Sequence, residues 1–248
     1  MTNFKTQNRS KLAKVDSLYL MHLVGNDFRR ANDHGSLLKG TIINGALKSL
    51  VNLVDDKFNI IIKNEKNIFT RSSLILFKTL LKKYFLKMPK ISVENENEIL
   101  GLSSALGINK DVIKNGIVGP DTITTLGAIG SKYKLAGKTK FPTFGCTSFA
   151  IFNPTDKKKL IVGRNLDYPS GGLFEKYPLV IFHEPDDGHQ KYITFSSLGI
   201  HTAGLTSINE SGLFFAINQN FTRSINIFGS PAIALLNDVV KKTKTLEE

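Results

Sequence analysis

The sequence predicts an α+β fold, and two patterns indicate it. Over the first 145 residues, apolar side chains recur at helical spacing, whereas from residue 146 short apolar runs alternate with turn sequences. The length of 248 residues and the hydrophobic fraction of 41% are typical of a folded chain with its own core. We therefore expect a helical N-terminal segment, residues 1–145, followed by a strand-rich segment of antiparallel hairpins, residues 146–248.

Three helices are predicted in the N-terminal segment. The first covers residues 36–54 with Ser36 as its N-cap, and the third covers residues 94–106 and ends at Gly107. The second, residues 72–87, is amphipathic and basic, and its lysines are Lys78, Lys82, Lys83 and Lys87. We expect its apolar side to pack on the protein, but the lysines leave contact with an anionic membrane open.

The strand-rich segment contains six short apolar runs between turns, and these predict strands at 147–152, 160–164, 179–183, 192–195, 201–208 and 213–218. Ser230 and Pro231 then begin a predicted helix that runs to about residue 243. Residues 245–248 read Thr-Leu-Glu-Glu, the form of a capping box, which opens a helix. We interpret this as a domain truncated at its C-terminal end, with central sheets that are incomplete.

The net positive charge of the chain comes from the N-terminal segment. The chain carries 33 Lys and Arg against 21 Asp and Glu, a net charge of +12. Residues 1–145 hold 23 basic and 11 acidic side chains, and residues 146–248 hold 10 of each. We interpret the basic segment as a solvated surface and expect no nucleic-acid partner.

Cysteine content and the N-terminus bear on the compartment. The single cysteine, Cys146, excludes a disulfide framework within the chain and a cysteine-rich zinc site. No apolar run is long enough for a signal peptide or a membrane span, so we expect a cytoplasmic protein. We also expect neither a metal nor a cofactor.

The candidate active site lies on the first predicted hairpin. If its turn lies near residues 153–158, paired positions sum to about 311, so that Cys146 sits opposite Asn165. Arg164 and Asp167 then fall within a residue or two. The hairpin would bring together a thiol nucleophile, a positive charge that favours its thiolate, and a carboxylate that can orient a base.

The base that would activate the thiol has two candidates. A histidine is one, and His183, His189 and His201 are available, although no sequence pattern ties any of them to Cys146. The other is the α-amino group that Cys146 gains if the Gly145–Cys146 bond is cleaved. Its reference pKa of about 7.7–8.0 is close to the value of about 8.5 for a thiol, so a proton can pass between them at neutral pH.

A family resemblance favours the second candidate. Gly145-Cys146-Thr147-Ser148 followed by Gly-Arg-Asn-Leu-Asp-Tyr at 163–168 resembles the N-terminal-nucleophile (Ntn) hydrolases of the choloylglycine hydrolase and penicillin acyltransferase type. The resemblance is closest to the acyl-coenzyme A:6-aminopenicillanic-acid acyltransferase group. Further matching stretches are Leu-Val-Gly-Asn at 23–26, Asp-His-Gly at 33–35, Gly-Leu-Thr at 204–206, Ile-Asn-Glu-Ser-Gly-Leu at 208–213 and Gly-Ser-Pro at 229–231.

The resemblance implies an αββα sandwich, here incomplete, formed by self-cleavage before Cys146. Cys146 would be the nucleophile of both cleavage and catalysis, with Arg164 beside the thiolate and Asp167 holding the new α-amino group. A side-chain amide, Asn218 or Gln219, would donate to the oxyanion. Asn165 and Tyr168 would line the substrate pocket.

The implied activity is that of an amidohydrolase or acyltransferase that acts on a small amide or an acyl-CoA-type thioester through a thioester acyl-enzyme. The cleaved segments, 1–145 and 146–248, would stay associated. Two alternatives remain. One is an inactive, truncated remnant that binds a partner or a membrane through its basic helices, and the other is an uncleaved Cys–His hydrolase that uses His201.

Overall fold

The computed structural model describes residues 3–46, 59, 62–63, 66–80, 90–117, 145–152, 160–167, 172–203, 205–218, 226 and 229–248. It is a mixed α+β structure with a mostly antiparallel sheet. The strands are β1 (Asn3–Gln7), β2 (Ser10–Val15), β3 (Leu18–Val24), β4 (Gly145–Phe152), β5 (Leu160–Asp167), β6 (Pro178–Glu184), β7 (Tyr192–Ser197), β8 (Thr206–Asn209) and β9 (Phe214–Ala216). The helices are α1 (Asp27–Thr41), α2 (Ile68–Leu80), α3 (Val93–Leu106), α4 (Leu173–Lys176) and α5 (Ala232–Lys242), and a π-helical turn, Ile42–Ala46, extends α1.

Both segments of the chain build the main sheet. Its seven strands follow the order β1-β2-β3-β6-β7-β8-β9. Neighbouring strands are antiparallel except β3 and β6, which run parallel and join residues 18–24 to residues 178–184. The two parts of the chain therefore form adjacent blocks of one sheet, β1–β3 and β6–β9, and residues of both parts lie in one buried cluster.

Helices cover one face of this sheet. Met21 and Leu23 of β3 and Ile181 of β6 lie in one buried cluster with Leu38 of α1 and Leu102 of α3. Glycine permits the close approach of the two helices, because a Cβ atom at Gly35 would lie 2.6 Å from the Cβ of Ala105. Gly107 ends α3 in the left-handed conformation, as the sequence predicted, and Ser92, which was not predicted, caps its start.

The opposite face of the main sheet is apolar and partly exposed. The strand register aligns Phe182, Ile193, Ile208 and Phe214 in one row across β6 to β9. Phe182 and Phe195 both project from this face and are exposed. The helices of the described residues thus shield one face of the sheet much more than the other.

Strands β4 and β5 form a separate two-stranded ribbon. The pairing runs from Gly145 opposite Asp167 to Phe152 opposite Leu160. Both faces of the ribbon carry exposed side chains, which include Phe149, Ile151, Phe152, Leu160 and Ile161. The predicted hairpin is confirmed, and β5 extends three residues beyond the predicted end at residue 164.

The prediction of a helical segment over residues 1–145 is wrong for residues 3–24. These form the antiparallel strands β1, β2 and β3. The turns between them have Asn8 and Asp16 at positive φ angles of 54° and 52°. Asn and Asp tolerate the left-handed conformation better than other residues with a Cβ, which explains why they form these turns.

The predicted start of the first helix at Ser36 is also wrong. Helix α1 begins at Asp27, because the side chain of Asn26 accepts a hydrogen bond from the backbone N–H of Arg29. Ser36 lies inside this helix, and within the described residues the helical turns that follow it end at Ala46. Residues 47–54 of the predicted helix lie outside the described residues.

The second predicted helix begins four residues earlier than expected, at Ile68, because the Asn67 side chain accepts from the N–H groups of Phe69 and Thr70. Its predicted end, with Lys82, Lys83 and Lys87, lies outside the described residues. None of the described helices is both long and apolar enough to cross a bilayer.

The last predicted helix is confirmed as α5, Ala232–Lys242, but its N-cap is Pro231 and not Ser230. Residues 245–248 are not helical. The Glu248 carboxylate instead accepts from the N–H of Lys244 at 2.6 Å.

Candidate functional site

Cys146 is the second residue of β4 and lies directly opposite Leu166 of β5. The predicted partner, Asn165, pairs with Thr147 instead, so the paired positions sum to 312 and the predicted register is wrong by one residue. Directly opposed residues share a face of an antiparallel ribbon, and their neighbours project from the other face. The register therefore gives Cys146 and Arg164 a common face and puts Asn165 on the opposite one.

Arg164 contacts the sulfur of Cys146. Its Nη2 donates to Cys146 Sγ at 3.7 Å and to the carbonyl oxygen of Ile217 at 2.6 Å. Burial lowers the pKa of Arg164 and the nearby thiol opposes that change, but a guanidinium stays protonated in proteins. Cys146 is half-buried, and its sulfur lies next to a positive charge. Such surroundings are typical of reactive cysteines.

Asn218 is held against the same face of the ribbon. Its Nδ2 donates to Ser148 Oγ at 3.0 Å, and Ser148 lies opposite Arg164. Arg164 and Ser148 thus attach the ribbon to consecutive residues, Ile217 and Asn218, that follow β9. The structure brings together Cys146, Arg164 and Asn218 from three separate parts of the chain.

Asp167 lies opposite Gly145, at the end of the ribbon that contains the predicted cleavage site. Its side chain projects from the face opposite to that of Cys146, as the register requires. The backbone bond between Gly145 and Cys146 is nevertheless next to this residue. Gln219 and Tyr168, which the sequence also predicted for the site, lie outside the described residues.

Sequence reasoning missed Ser148 and the carbonyl of Ile217. Strand alternation could have identified Ser148, because residues two apart on a strand share a face and Ser148 follows Cys146 by two. No local pattern identifies Ile217, since its contact with Arg164 spans 53 residues.

The predicted alternative base, His201, lies in the core. It is buried and its Nδ1 is 3.1 Å from Nδ1 of His34. Among the described residues, no histidine forms a hydrogen bond with Cys146 Sγ. The geometry of the described site therefore offers no Cys–His pair.

Three potential metal ligands, Asp27, Asp187 and His189, have ligand atoms within 4.8 Å of one another. However, Asp27 Oδ1 already accepts from Arg30 Nη2 at 2.6 Å and from Lys241 Nζ at 2.9 Å. Two cations at the same oxygen oppose the binding of a metal ion. Asp27 therefore belongs to a buried ion-pair cluster with Arg30 and Lys241.

No family model matches the sequence, and no curated protein matches it at a significant level.

Proposed function

We propose that this protein is a cysteine N-terminal-nucleophile amidohydrolase or acyltransferase that activates itself by cleavage of the Gly145–Cys146 bond. The observation that carries the proposal is the contact of 3.7 Å between Arg164 Nη2 and Cys146 Sγ. This contact places a fixed positive charge beside the nucleophile Cys146, which lies at the N-terminal end of β4. The proposal includes an αββα sandwich in which the β4–β5 ribbon belongs to the second sheet.

Self-cleavage begins when the Cys146 thiol attacks the carbonyl carbon of Gly145. The acyl group moves from the Cys146 nitrogen to its sulfur, and water hydrolyses the resulting thioester. The products are a Gly145 carboxylate and a free α-amino group on Cys146. Asp167 lies next to this bond through its pairing with Gly145, which supports its proposed role in holding the new amine.

Catalysis uses the same sulfur. The α-amino group accepts the thiol proton, and the thiolate attacks the carbonyl of an amide or thioester substrate. Asn218 Nδ2 donates a hydrogen bond to the oxyanion that forms. The proton returns to the departing amine or thiol, a thioester to Cys146 remains, and water or an acceptor amine resolves it.

The attachment of Asn218 supports its role as the oxyanion donor. A donor contributes most when it is oriented before the reaction. Ser148 fixes the Asn218 amide from the ribbon, and Arg164 fixes the preceding carbonyl. Both ribbon residues share the face of Cys146, so nucleophile and amide are positioned by one short strand pair.

The test is hydrolysis of a panel of fluorogenic N-acyl amides by the purified protein, with the acyl adduct located by peptide mass spectrometry. We expect activity and an adduct on Cys146, and neither in Cys146→Ala. Thr147→Ala is the matched control, because Thr147 is the next residue and projects from the opposite face. Activity that survives Cys146→Ala would refute the proposal.

A second candidate function has one specific observation in its favour. Helix α2 carries four exposed apolar side chains, Ile68, Phe69, Ile75 and Leu76. They lie in the basic segment, so an inactive remnant could bind an anionic membrane through this helix. Flotation with phosphatidylserine vesicles tests this idea. Ile75→Ser with Leu76→Ser should abolish binding, and unchanged binding would contradict it.

A further inference from the structure

A buried polar cluster, which we call the segment lock, joins the two parts of the chain. All of its members are buried and come from both sides of the Gly145–Cys146 bond. From the N-terminal side they are Asp27, Arg30 and His34 of α1 and Glu98 of α3. From the C-terminal side they are His183 of β6, Tyr192 of β7, His201 between β7 and β8, and Lys241 of α5.

The ionic contacts of the segment lock cross from one side to the other. Lys241 Nζ donates to Glu98 Oε1 at 2.6 Å and to Asp27 Oδ1 at 2.9 Å. Arg30 Nη1 lies 3.6 Å from Asp187 Oδ2. Separation of the two parts would break both pairs of Lys241 and the pair of Arg30 with Asp187, whereas Asp27 would keep Arg30 on its own side.

The histidines are arranged to be neutral. The N–H of Gly199 donates to His34 Nε2 at 3.4 Å, so this nitrogen carries no proton. Neutral His34 therefore has its proton on Nδ1 and donates it to Nδ1 of His201 at 3.1 Å. The proton of neutral His201 is then on Nε2, which faces Glu98 Oε1 at 3.8 Å.

A single added proton breaks this arrangement. If His34 gains a proton, its Nε2–H points at the N–H of Gly199. If His201 gains one, its Nδ1–H points at the Nδ1–H of His34. In either case two donors face each other in a site without bulk water, which costs free energy.

We propose that the segment lock is an acid-sensitive interface that binds residues 1–145 to residues 146–248 at neutral pH and opens when its histidines are protonated. The partner that the N-terminal interface recognises is the C-terminal part of the same chain. Release of two separate polypeptides rests on the cleavage proposed above, whereas opening of the lock also applies to an uncleaved chain.

The charges around the histidines decide the direction of the pH response. Cations facing the histidines are Arg30 from α1 and Lys241 from α5. The anions are Asp27 from α1 and Glu98 from α3, both already bound by Lys241, with Asp187 from the β6–β7 loop bound by Arg30. Tyr192 of β7 stacks on His183 with ring centroids 4.2 Å apart.

Burial and these cations both lower the pKa of the buried histidines. Burial, and to a smaller extent Arg30 and Lys241, hold the pKa of His201 well below its usual range. The same factors, together with His201, lower the pKa of His183, and burial and His201 lower that of His34. The histidine protons are therefore taken up on opening, so the closed state is favoured above pH 6.5 and loses stability as the pH falls below it.

The experiment measures the equilibrium constant for unfolding in urea at pH 6 and at pH 5. Uptake of three protons predicts an increase of about 10²–10³-fold in the wild-type protein. The double variant His34→Asn with His201→Asn keeps a neutral donor and acceptor near the Nδ1 positions but removes two titrating groups, so the increase should fall to about tenfold. The control, His22→Asn, alters a half-buried histidine on β3 that pairs with Glu184 outside the segment lock, and it should respond as the wild type does.

Equal pH dependence in the wild type and the double variant would overturn the proposal. If the double variant does not fold, histidine-labelled NMR of the wild type decides the question. The resonances of His34, His183 and His201 should stay at their neutral positions until the fold opens, and titration of any of them in the folded protein would contradict the proposal.

Intact mass separates this proposal from the cleavage proposal. A chain that stays whole but shows the predicted pH dependence refutes cleavage and supports the lock. A cleaved chain whose unfolding constant changes less than tenfold between pH 6 and pH 5 refutes the lock and leaves cleavage standing.

Discussion

Replacement of Lys241 by methionine should destabilise the protein strongly. Lys241 is fully buried and holds the Glu98 and Asp27 carboxylates at 2.6 and 2.9 Å. Burial lowers the pKa of Lys241, but the charges of Glu98 and Asp27 outweigh it, so the net shift is upward and the side chain is charged. Methionine keeps the apolar stem and removes the charge.

The expected loss of stability depends on the partners that the Glu98 and Asp27 carboxylates keep in Lys241→Met. Asp27 retains Arg30 at 2.6 Å, whereas among the described residues Glu98 retains one close hydrogen-bond donor, the Asn237 amide at 2.8 Å. Loss of one partner of a buried ion pair costs about 3–5 kcal/mol because the remaining charge is uncompensated. In a protein of this size that corresponds to a Tm lower by about 6–20 °C.

The assay is urea denaturation at pH 7.5 followed by circular dichroism, with Lys242→Met as the matched control. Lys242 is the next residue in α5, is half-exposed and pairs with Glu94 at 2.7 Å. An exposed pair of this kind contributes about 0–1 kcal/mol. A loss below 1 kcal/mol in Lys241→Met, or equal losses in the two variants, would contradict the expected cost of leaving the Glu98 carboxylate unpaired.

Three further changes have defined outcomes. In α1, Gly35→Ala should lower the free energy of unfolding in urea by about 1–3 kcal/mol, because its Cβ would meet Ala105. Gly40→Ala has open space around it and should raise the same free energy by about 0.5–1 kcal/mol. A stabilising Gly35→Ala would contradict the close packing of α1 on α3. Burial raises the pKa of Tyr192 to about 12 and its hydroxyl has no partner among the described residues. Tyr192→Phe should therefore change stability by less than about 0.5 kcal/mol, and a loss above 2 kcal/mol would show an unrecognised hydrogen bond. Arg164→Gln should slow alkylation of Cys146 by iodoacetamide at pH 7 by about tenfold. This factor corresponds to an attraction of about 1.4 kcal/mol between the guanidinium and the thiolate. An unchanged rate would contradict the contact between Arg164 and Cys146.

Local signals in the sequence predicted the elements whose ends are set by nearby residues. Helix α3 depends on Ser92 and Gly107, which lie at its ends, and helix α5 begins at Pro231. The strands β1 to β3 were missed because their turns use Asn8 and Asp16 at positive φ instead of glycine. The parallel pairing of β3 with β6 joins residues about 160 apart, and no local pattern specifies it.

In the candidate site, too, local contacts were predicted from the sequence and long-range contacts were not. The contact between Cys146 and Arg164 follows from one hairpin, so its existence was predicted, although the register was wrong by one residue. A single residue more or less in the connection changes which face a side chain occupies. The buried partners of Lys241 were not predicted, because Asp27 and Glu98 are 214 and 143 residues away in sequence.

The proposed function depends on the claim that the chain cleaves itself at Gly145–Cys146, and the intact mass of the purified protein tests this claim. We expect two polypeptides, residues 1–145 and residues 146–248, with cysteine as the N-terminal residue of the second. Cys146→Ala should remain a single chain, and Thr147→Ala should be cleaved. A wild-type protein that stays a single chain of 248 residues after prolonged incubation at neutral pH would contradict the claim.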